Sequence, residues 1–251
     1  MSTTLYHGEP NGPSLTVLAT LFAKQVPAQL RYIDLARGER HGLDCAREPL
    51  VALSIEGEGP VLVVDGESMA DSVFIACYLD DVGQGPALRP ADPYQRWETM
   101  KWCRQMIERT APAAAYLGCS AHRPKADAAL LERIASADLR ARWEQLGAGQ
   151  FSAEQLRDSR TKIQQAVERI EARLADREWL MGAYSIADLE SYAWLAGMVA
   201  LVPEAFASRP RTTEWLKRVR SSPAVAQALA LSRSADPAAS WSVGPEINRW
   251  G

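Results

Sequence analysis

The chain has 251 residues, with 28 lysines and arginines against 31 aspartates and glutamates and a formal net charge of −3. With 47% hydrophobic and 24% charged residues, it has the composition of a globular protein of one or two domains rather than of a disordered chain. The mild acidity argues against nucleic acid, which needs a basic footprint, and the longest apolar run, Ala193 to Val202, falls far short of the ~20 residues of a bilayer span.

Thr3 to His7 reads as a strand, followed by a loop at Glu9-Pro10-Asn11-Gly12-Pro13. From Ser14, apolar residues at Leu15, Leu18, Leu21 and Phe22 keep a helical period, with Ser14 as its N-cap. Leu30 to Leu35 reads as a second strand, and Ala36 to Glu48 is polar with no clear period. Pro60 opens a buried strand, Val61 to Val64, and Asp65-Gly66 marks a tight hairpin with a return over Glu67 to Ala70. Asp71-Ser72 then caps a helix from Val73 to Asp81.

Residues Gly83 to Pro93 hold three prolines and two glycines and read as a linker. Everything beyond it reads as helical. The first helix runs from Tyr94 to Gly118 with a kink expected at Pro112, and Leu130 to Leu146 and Ala153 to Leu174 follow. Ser185-Ile186-Ala187-Asp188 forms a capping box that opens an apolar helix reaching Val202. Arg211 to Ser221 and Ala224 to Leu231 complete the helices, and the tail from Asp236 is irregular. The reading is thus α/β plus all-α: residues 1–82 as βαβ-ββα around a mixed four-stranded sheet, 83–93 as linker, 94–235 as an all-helical domain, and 236–251 as tail.

The four cysteines, Cys45, Cys77, Cys103 and Cys119, form no CxxC pair, and there are three histidines, His7, His41 and His122. That pattern fits neither a zinc site nor a disulfide framework. Cys77 and Cys103 read as buried small hydrophobes; Cys45 lies in a polar segment. The start, Met1 to Gly12, carries neither a basic nor an apolar leader, so a cytoplasmic protein is expected.

Three segments in this order resemble the glutathione S-transferase superfamily. Gly59-Pro60 before Val61 looks like the cis-proline junction of its thioredoxin-like domain. Asp71-Ser72-Val73-Phe74-Ile75 looks like its acidic-Ser motif, and Ser185 to Leu189 like the capping box of its buried helix. Leu5-Tyr6, Ser14-Leu15, Leu18-Ala19-Thr20-Leu21, His41, Asp65-Gly66 and Leu88-Arg89-Pro90-Ala91-Asp92-Pro93 are similar to the bacterial glutathione-dependent β-aryl etherases of lignin degradation. Two departures stand out: Gly59 lacks the usual apolar side chain, and Asp71 is one methylene shorter than the commoner glutamate.

The resemblance implies glutathione as co-substrate and no metal. A cis turn leaves an open backbone edge at Gly59, before Pro60, for the extended cysteinyl backbone. Asp71 would pair with the γ-glutamyl ammonium, and Ser72 would meet the carboxylate at a helix N-terminus. His41 would approach the glycyl carboxylate, or is simply a solvated loop histidine. Ser14 reads either as a helix cap or as the hydroxyl that donates to the glutathione sulfur and favours the thiolate. Tyr6, an alternative donor, reads better as core. The thiolate would displace a phenolate from a carbon beside an aromatic ketone, with Trp102, Met106, Arg109 and Tyr116 as substrate-pocket candidates that also suit plain helix packing. A general transferase, a glutathione-dependent isomerase, or a non-catalytic subunit of a heterodimeric etherase are the alternatives. A homodimer or a heterodimer with a related chain is expected, with no nucleic acid and no membrane as partner.

Overall fold

The computed structural model of the protein describes residues 2–33, 59–122, 128–134 and 137–234. Residues 34–58, with His41 and Cys45, and the tail from Asp236 lie outside them. Four strands, β1 (Thr3–His7), β2 (Gln29–Tyr32), β3 (Val61–Val64) and β4 (Glu67–Met69), form one sheet in the order β2-β1-β3-β4. β1 runs parallel to β2, with Leu5 opposite Leu30, and antiparallel to β3, with Leu5 opposite Leu62. β4 returns antiparallel to β3. The turn between them is the expected one: Asp65 and Gly66 both have positive φ, 49° and 92°, the twist that suits a two-residue hairpin.

Alternation along these strands divides the sheet's two faces. Leu5, Leu62 and Val64 join the main core, whereas Tyr6 and Val61 pack with Ile33 in a second cluster. Tyr6 is therefore buried on the opposite side, its hydroxyl accepting from Arg31 Nη1 at 3.3 Å.

Helix α1 (Gly12–Ala23) begins two residues earlier than its period suggests. Asn11 is the N-cap residue and Pro13 occupies the first turn, where its missing N–H costs nothing. Ser14 is thus inside the first turn and does not cap it. Helix α2 (Ser72–Val82) matches expectation, with the Asp71 carboxylate accepting from the N–H groups of Val73 and Phe74 at 3.0 and 3.2 Å.

The segment after α2 is held rather than loose. Asp80 receives the Leu88 N–H at 2.9 Å and sits 3.1 Å from Lys24 Nζ and 3.0 Å from Arg89 Nε. Burial pushes the Asp80 carboxyl up, but its hydrogen bonds from Leu88, Arg89 and Lys24 outweigh that and hold it below its ordinary value. Leu88 is buried, and its carbonyl accepts the Ile186 N–H at 3.0 Å. Asp92 caps the next helix through Gln95 N–H, with Pro93 at its first position. The sequence Leu88 to Pro93 is therefore a clamp between the first helices and the helical half.

Helix α3 (Pro93–Gln105) does not run straight on to Gly118. A π-helical turn at Met106–Thr110 separates it from α4 (Ala111–His122). Pro112 has no N–H to return to Glu108, and the widened turn ahead of it absorbs the mismatch, where a kink is expected. Two further expectations are corrected. The span 130–146 is broken into α5 (Ala128–Arg133) and α6 (Ala137–Gly147). The helix from the capping box, α8 (Ile186–Leu195), ends at Leu195 rather than Val202, followed by the short α9 (Met198–Leu201) and α10 (Pro203–Phe206). Between them, α7 (Ala153–Arg173) buries Ile163, Val167 and Ile170 on one stripe. The last helices are α11 (Pro210–Arg220) and α12 (Pro223–Leu229).

All ten residues of α8 are buried, so its polar groups must be satisfied inside the protein. Asp188 accepts from the Leu180 N–H, the Trp215 indole, and the Ser185 N–H and hydroxyl, all within 3.0 Å. Burial raises its carboxyl to about 6 in spite of these donors. Asp188→Ala strands four donors at once and is expected to cost about 3–5 kcal/mol of folding stability. Urea denaturation checks it; a loss under about 1 kcal/mol would show that water replaces the carboxylate.

Candidate functional site

The start of α1, the start of α2 and the middle of α8 meet at Glu190. Its Oε2 accepts from the Thr16 hydroxyl at 2.7 Å and from the Ser72 hydroxyl at 3.4 Å, while Oε1 accepts from the Trp194 indole at 2.7 Å. The Trp194 ring lies under Gly12: a Cβ there would stand 3.3 Å from the ring. Gly12 also has φ of +43°, a conformation that glycine adopts at little cost. Glycine is thus needed twice over at the first residue of α1.

Two residues on, Ser14 is buried and its Oγ accepts the Gly8 N–H at 3.0 Å. Accepting there leaves its O–H proton free of that bond, at the positive end of a helix with no acidic residue in its first turn. A hydroxyl in that state is suited to donate to an anion.

Asp71 caps α2 from an unusual backbone, φ 77° and ψ 116°. N-caps ordinarily sit in the extended region, so helix capping alone does not account for this conformation. Non-glycine residues held at positive φ cost on the order of 1–3 kcal/mol and gather at ligand sites. Ser72 follows, buried, as the first residue of α2. Gly59 precedes Pro60 through a cis peptide bond, as expected, and Pro60 leads into β3, which pairs with β1 at Tyr6 and Val61.

The four pocket candidates on the helical half do not share one surface. Trp102 and Met106 are buried in the core; the Trp102 indole donates to Ser191 at 2.9 Å and its ring carries the Arg169 guanidinium at 4.8 Å. Both serve packing. Arg109 is exposed, and the Tyr116 hydroxyl accepts the Ser152 N–H at 2.9 Å beside Phe151.

Sequence reasoning overlooked two groups here. Glu190 is one, although a second acidic residue just past the capping box, inside an apolar run, was the available signal. Glu9 is the other: it is buried and accepts from the Tyr32 hydroxyl, the Ser232 hydroxyl and the Arg233 N–H at 2.6–2.9 Å. It ties residues 232 and 233 to the loop between β1 and α1. His7 stands beside it with its ring edge on Tyr32, and burial lowers its basicity. No sequence-local feature brings residue 9 to residue 233.

In fold and capping box the chain is similar to the glutathione S-transferases, and residues 122–223 match the model of the glutathione S-transferase C-terminal domain. The chain is 26% identical over 255 residues to the protein LigF of a Sphingobium species, covering 94% of this chain and 96% of LigF. The crystal structure of the β-etherase LigF from Sphingobium sp. strain SYK-6 superimposes with a TM-score of 0.82 at 25% identity, over 92% of this chain and all of that one. Poplar glutathione transferase F1 shares the fold, with a TM-score of 0.70 at 19% identity over 92% of this chain and 98% of its own. A Burkholderia graminis glutathione transferase, solved with two glutathione molecules per subunit, does so at 0.68 and 20%, over 92% of this chain and 89% of its own.

Burial pushes the Glu190 carboxyl up from 4.5 to about 7, against the hydrogen bonds of Thr16 and Trp194 and with the negative charge of Asp71 adding to the push. The fold therefore favours the neutral form. That contribution is complete below the unfolded value and is lost as pH rises through about 7. Glu190→Gln is neutral throughout. Whatever its offset at about pH 5, it is expected to gain on the wild type by up to about 3 kcal/mol by about pH 8. Denaturation of both proteins across that range measures the gap; a gap that does not change with pH rules out burial of the charge as its source.

Proposed function

We propose that this chain is a glutathione transferase of the β-etherase type, which uses the glutathione thiolate to cleave β-aryl ethers of lignin-derived aromatic ketones. The observation that carries this reading is the likeness to LigF over nearly the full length of both chains. Ser14 at the start of α1 and Asp71-Ser72 at the start of α2 support it.

In this reading the γ-glutamyl end of glutathione lies against Asp71 and Ser72, and its cysteinyl backbone against Gly59 before Pro60. His41, outside the described residues, reaches the glycyl carboxylate. The thiol lies by Ser14. An ordinary thiol has a pKa of about 8.5, and a donated hydrogen bond with the positive helix end lowers it. The sulfur then attacks the ether-bearing carbon. An S–C bond forms, the C–O bond breaks with its electron pair leaving on phenolate, and the phenolate takes a proton from solvent. Holding the two reactants together supplies much of the rate. Arg109 and Tyr116 are the wall candidates that keep a side chain outside the core, for the aromatic substrate.

Incubation with glutathione and a panel of β-aryl ether ketones, maleyl acids and chlorodinitrobenzene tests the reaction class. Ether cleavage with a glutathione thioether as product is expected; turnover of the maleyl acid alone would make the protein an isomerase. Ser14→Ala is expected to lower turnover about 10-fold at neutral pH, to leave glutathione binding nearly unchanged, and to recover partly as pH rises. Superimposable pH–rate profiles would assign thiolate stabilisation to another group.

A dimer, with an identical or a related chain, belongs to the same proposal. Phe74, Tyr94 and Trp97 are 60%, 69% and 52% exposed, and Phe74 and Trp97 line one groove of about 620 Å³ with Val73, Met100 and Ile107. Aromatic surface of this kind marks an interface, and two-fold pairing is its commonest form. Sedimentation at micromolar concentration is expected to give about twice the 27.6 kDa chain mass, alone or with a related chain; a monomer in both cases contradicts it. Glutathione use and the free Cys77 and Cys103 support a reducing, cytoplasmic setting.

A further inference from the structure

Glu190 is a carboxylate with 0% exposure whose hydrogen-bond partners are all neutral: the Thr16 and Ser72 hydroxyls and the Trp194 indole. Among the described residues no lysine or arginine pairs with it. A buried carboxylate ordinarily has a cation beside it. The charged and titratable groups that face this one make the deficit worse. Asp71, at the cap of α2, adds negative charge; Cys103, from α3, is a neutral buried thiol whose own ionisation Glu190 opposes. Asp188 is a second buried carboxylate two residues away on α8. From α1 comes the neutral Thr16. Arg220 of α11 is taken up by Tyr192.

Two carboxylates therefore adjoin Ser72: Asp71 precedes it at the cap of α2, and Glu190 accepts from its hydroxyl. A cationic ligand group beside Asp71 offsets the negative charge of this arrangement and leaves the helix N–H groups to the ligand's carboxylate. We propose that Glu190 is a positioning residue of the γ-glutamyl site, acting through Ser72, and that the ligand's α-ammonium group is the counter-charge this buried carboxylate lacks. The proposal rests on the reading of Asp71–Ser72 as the glutathione-binding motif, and it adds a consequence. Glu190 is partly protonated in the free protein near neutral pH, burial having raised it to about 7. An ammonium nearby favours the ionised form. Ligand binding therefore expels a proton from Glu190, and affinity increases with pH across that range.

The glutathione thiol would itself release a proton on binding, so the probe is S-methylglutathione, whose sulfur carries none. Calorimetric titration of the full chain in two buffers of different ionisation heat reads the proton balance directly. Release of a fraction of a proton is expected, largest at about pH 6.5 and falling away toward about pH 5. Glu190→Gln is expected to abolish the release and to bind about 5- to 10-fold more weakly at about pH 7.5. The analogue with a glutaryl group in place of γ-glutamyl, which lacks the ammonium, is expected to bind the wild type without release. The wild-type measurements stand whether or not the variant folds. Binding with no proton exchange, with proton uptake, or with equal release in Glu190→Gln or by the glutaryl analogue overturns the proposal. Asp71→Ala separates the two levels. If it weakens S-methylglutathione binding while the proton balance stays flat, the motif reading stands and the role of Glu190 falls. If S-methylglutathione does not bind, or Asp71→Ala binds it unchanged, both fall.

Discussion

Helix α8 has no solvent face, and the rest of the molecule is arranged around that constraint. A helix buried over all ten residues is easily made from apolar side chains, but α8 also carries Asp188, Glu190 and Ser191. Each must find partners within the protein, because an unsatisfied buried polar group costs several times what an ordinary hydrogen bond contributes. Asp188 does so locally, holding its own capping box, the Leu180 N–H and the Trp215 indole. Ser191 receives the Trp102 indole from α3. Glu190 reaches furthest, to α1 and α2. The helix that completes the core of the helical half thereby also sets the relative positions of the two helix starts that form the site.

A second joint works at the opposite end of the same helices. Lys24 at the end of α1, Asp80 in α2 and Arg89 beyond it form a largely buried ion-pair cluster. A buried pair of this kind adds little net stability over apolar packing, yet removing one partner is costly. Its structural effect is to hold Leu88 in the core with its carbonyl on the cap of α8. The connection between the two halves is thus anchored at both ends, and α1 and α2 are held against α8 near their starts by Glu190 and near their ends by Asp80. Rigid placement of that sort is what a site needs when its donors sit on different elements.

Ser14 and Asp71 show how much one conformational detail changes a residue's meaning. With the helix starting at Gly12, Ser14 is released from capping, and its oxygen accepts from Gly8 instead. Asp71 does cap α2, but from a backbone conformation that capping does not require. In the first case the structure removes the plain structural explanation; in the second it leaves that explanation insufficient. Trp102 and Met106, by contrast, are buried as well as helically spaced.

Legibility in the sequence followed the range of the forces involved. The Asp65-Gly66 hairpin, the Ser185–Asp188 capping box and the strand after Pro60 are all decided within a few residues by turn, cap and ring geometry, and so were legible in the sequence. So too was the two-part architecture, because the change from strand alternation to helical period needs no tertiary contact. The start of α1 at Gly12 depends on packing against the Trp194 ring of a distant helix. The partnership of Thr16 and Ser72 with Glu190, and of Glu9 with Arg233, emerged only once the chain was folded. Those pairs are 174, 118 and 224 residues apart, and no local propensity acts over that distance; burial brings them together, and burial then obliges them to bond.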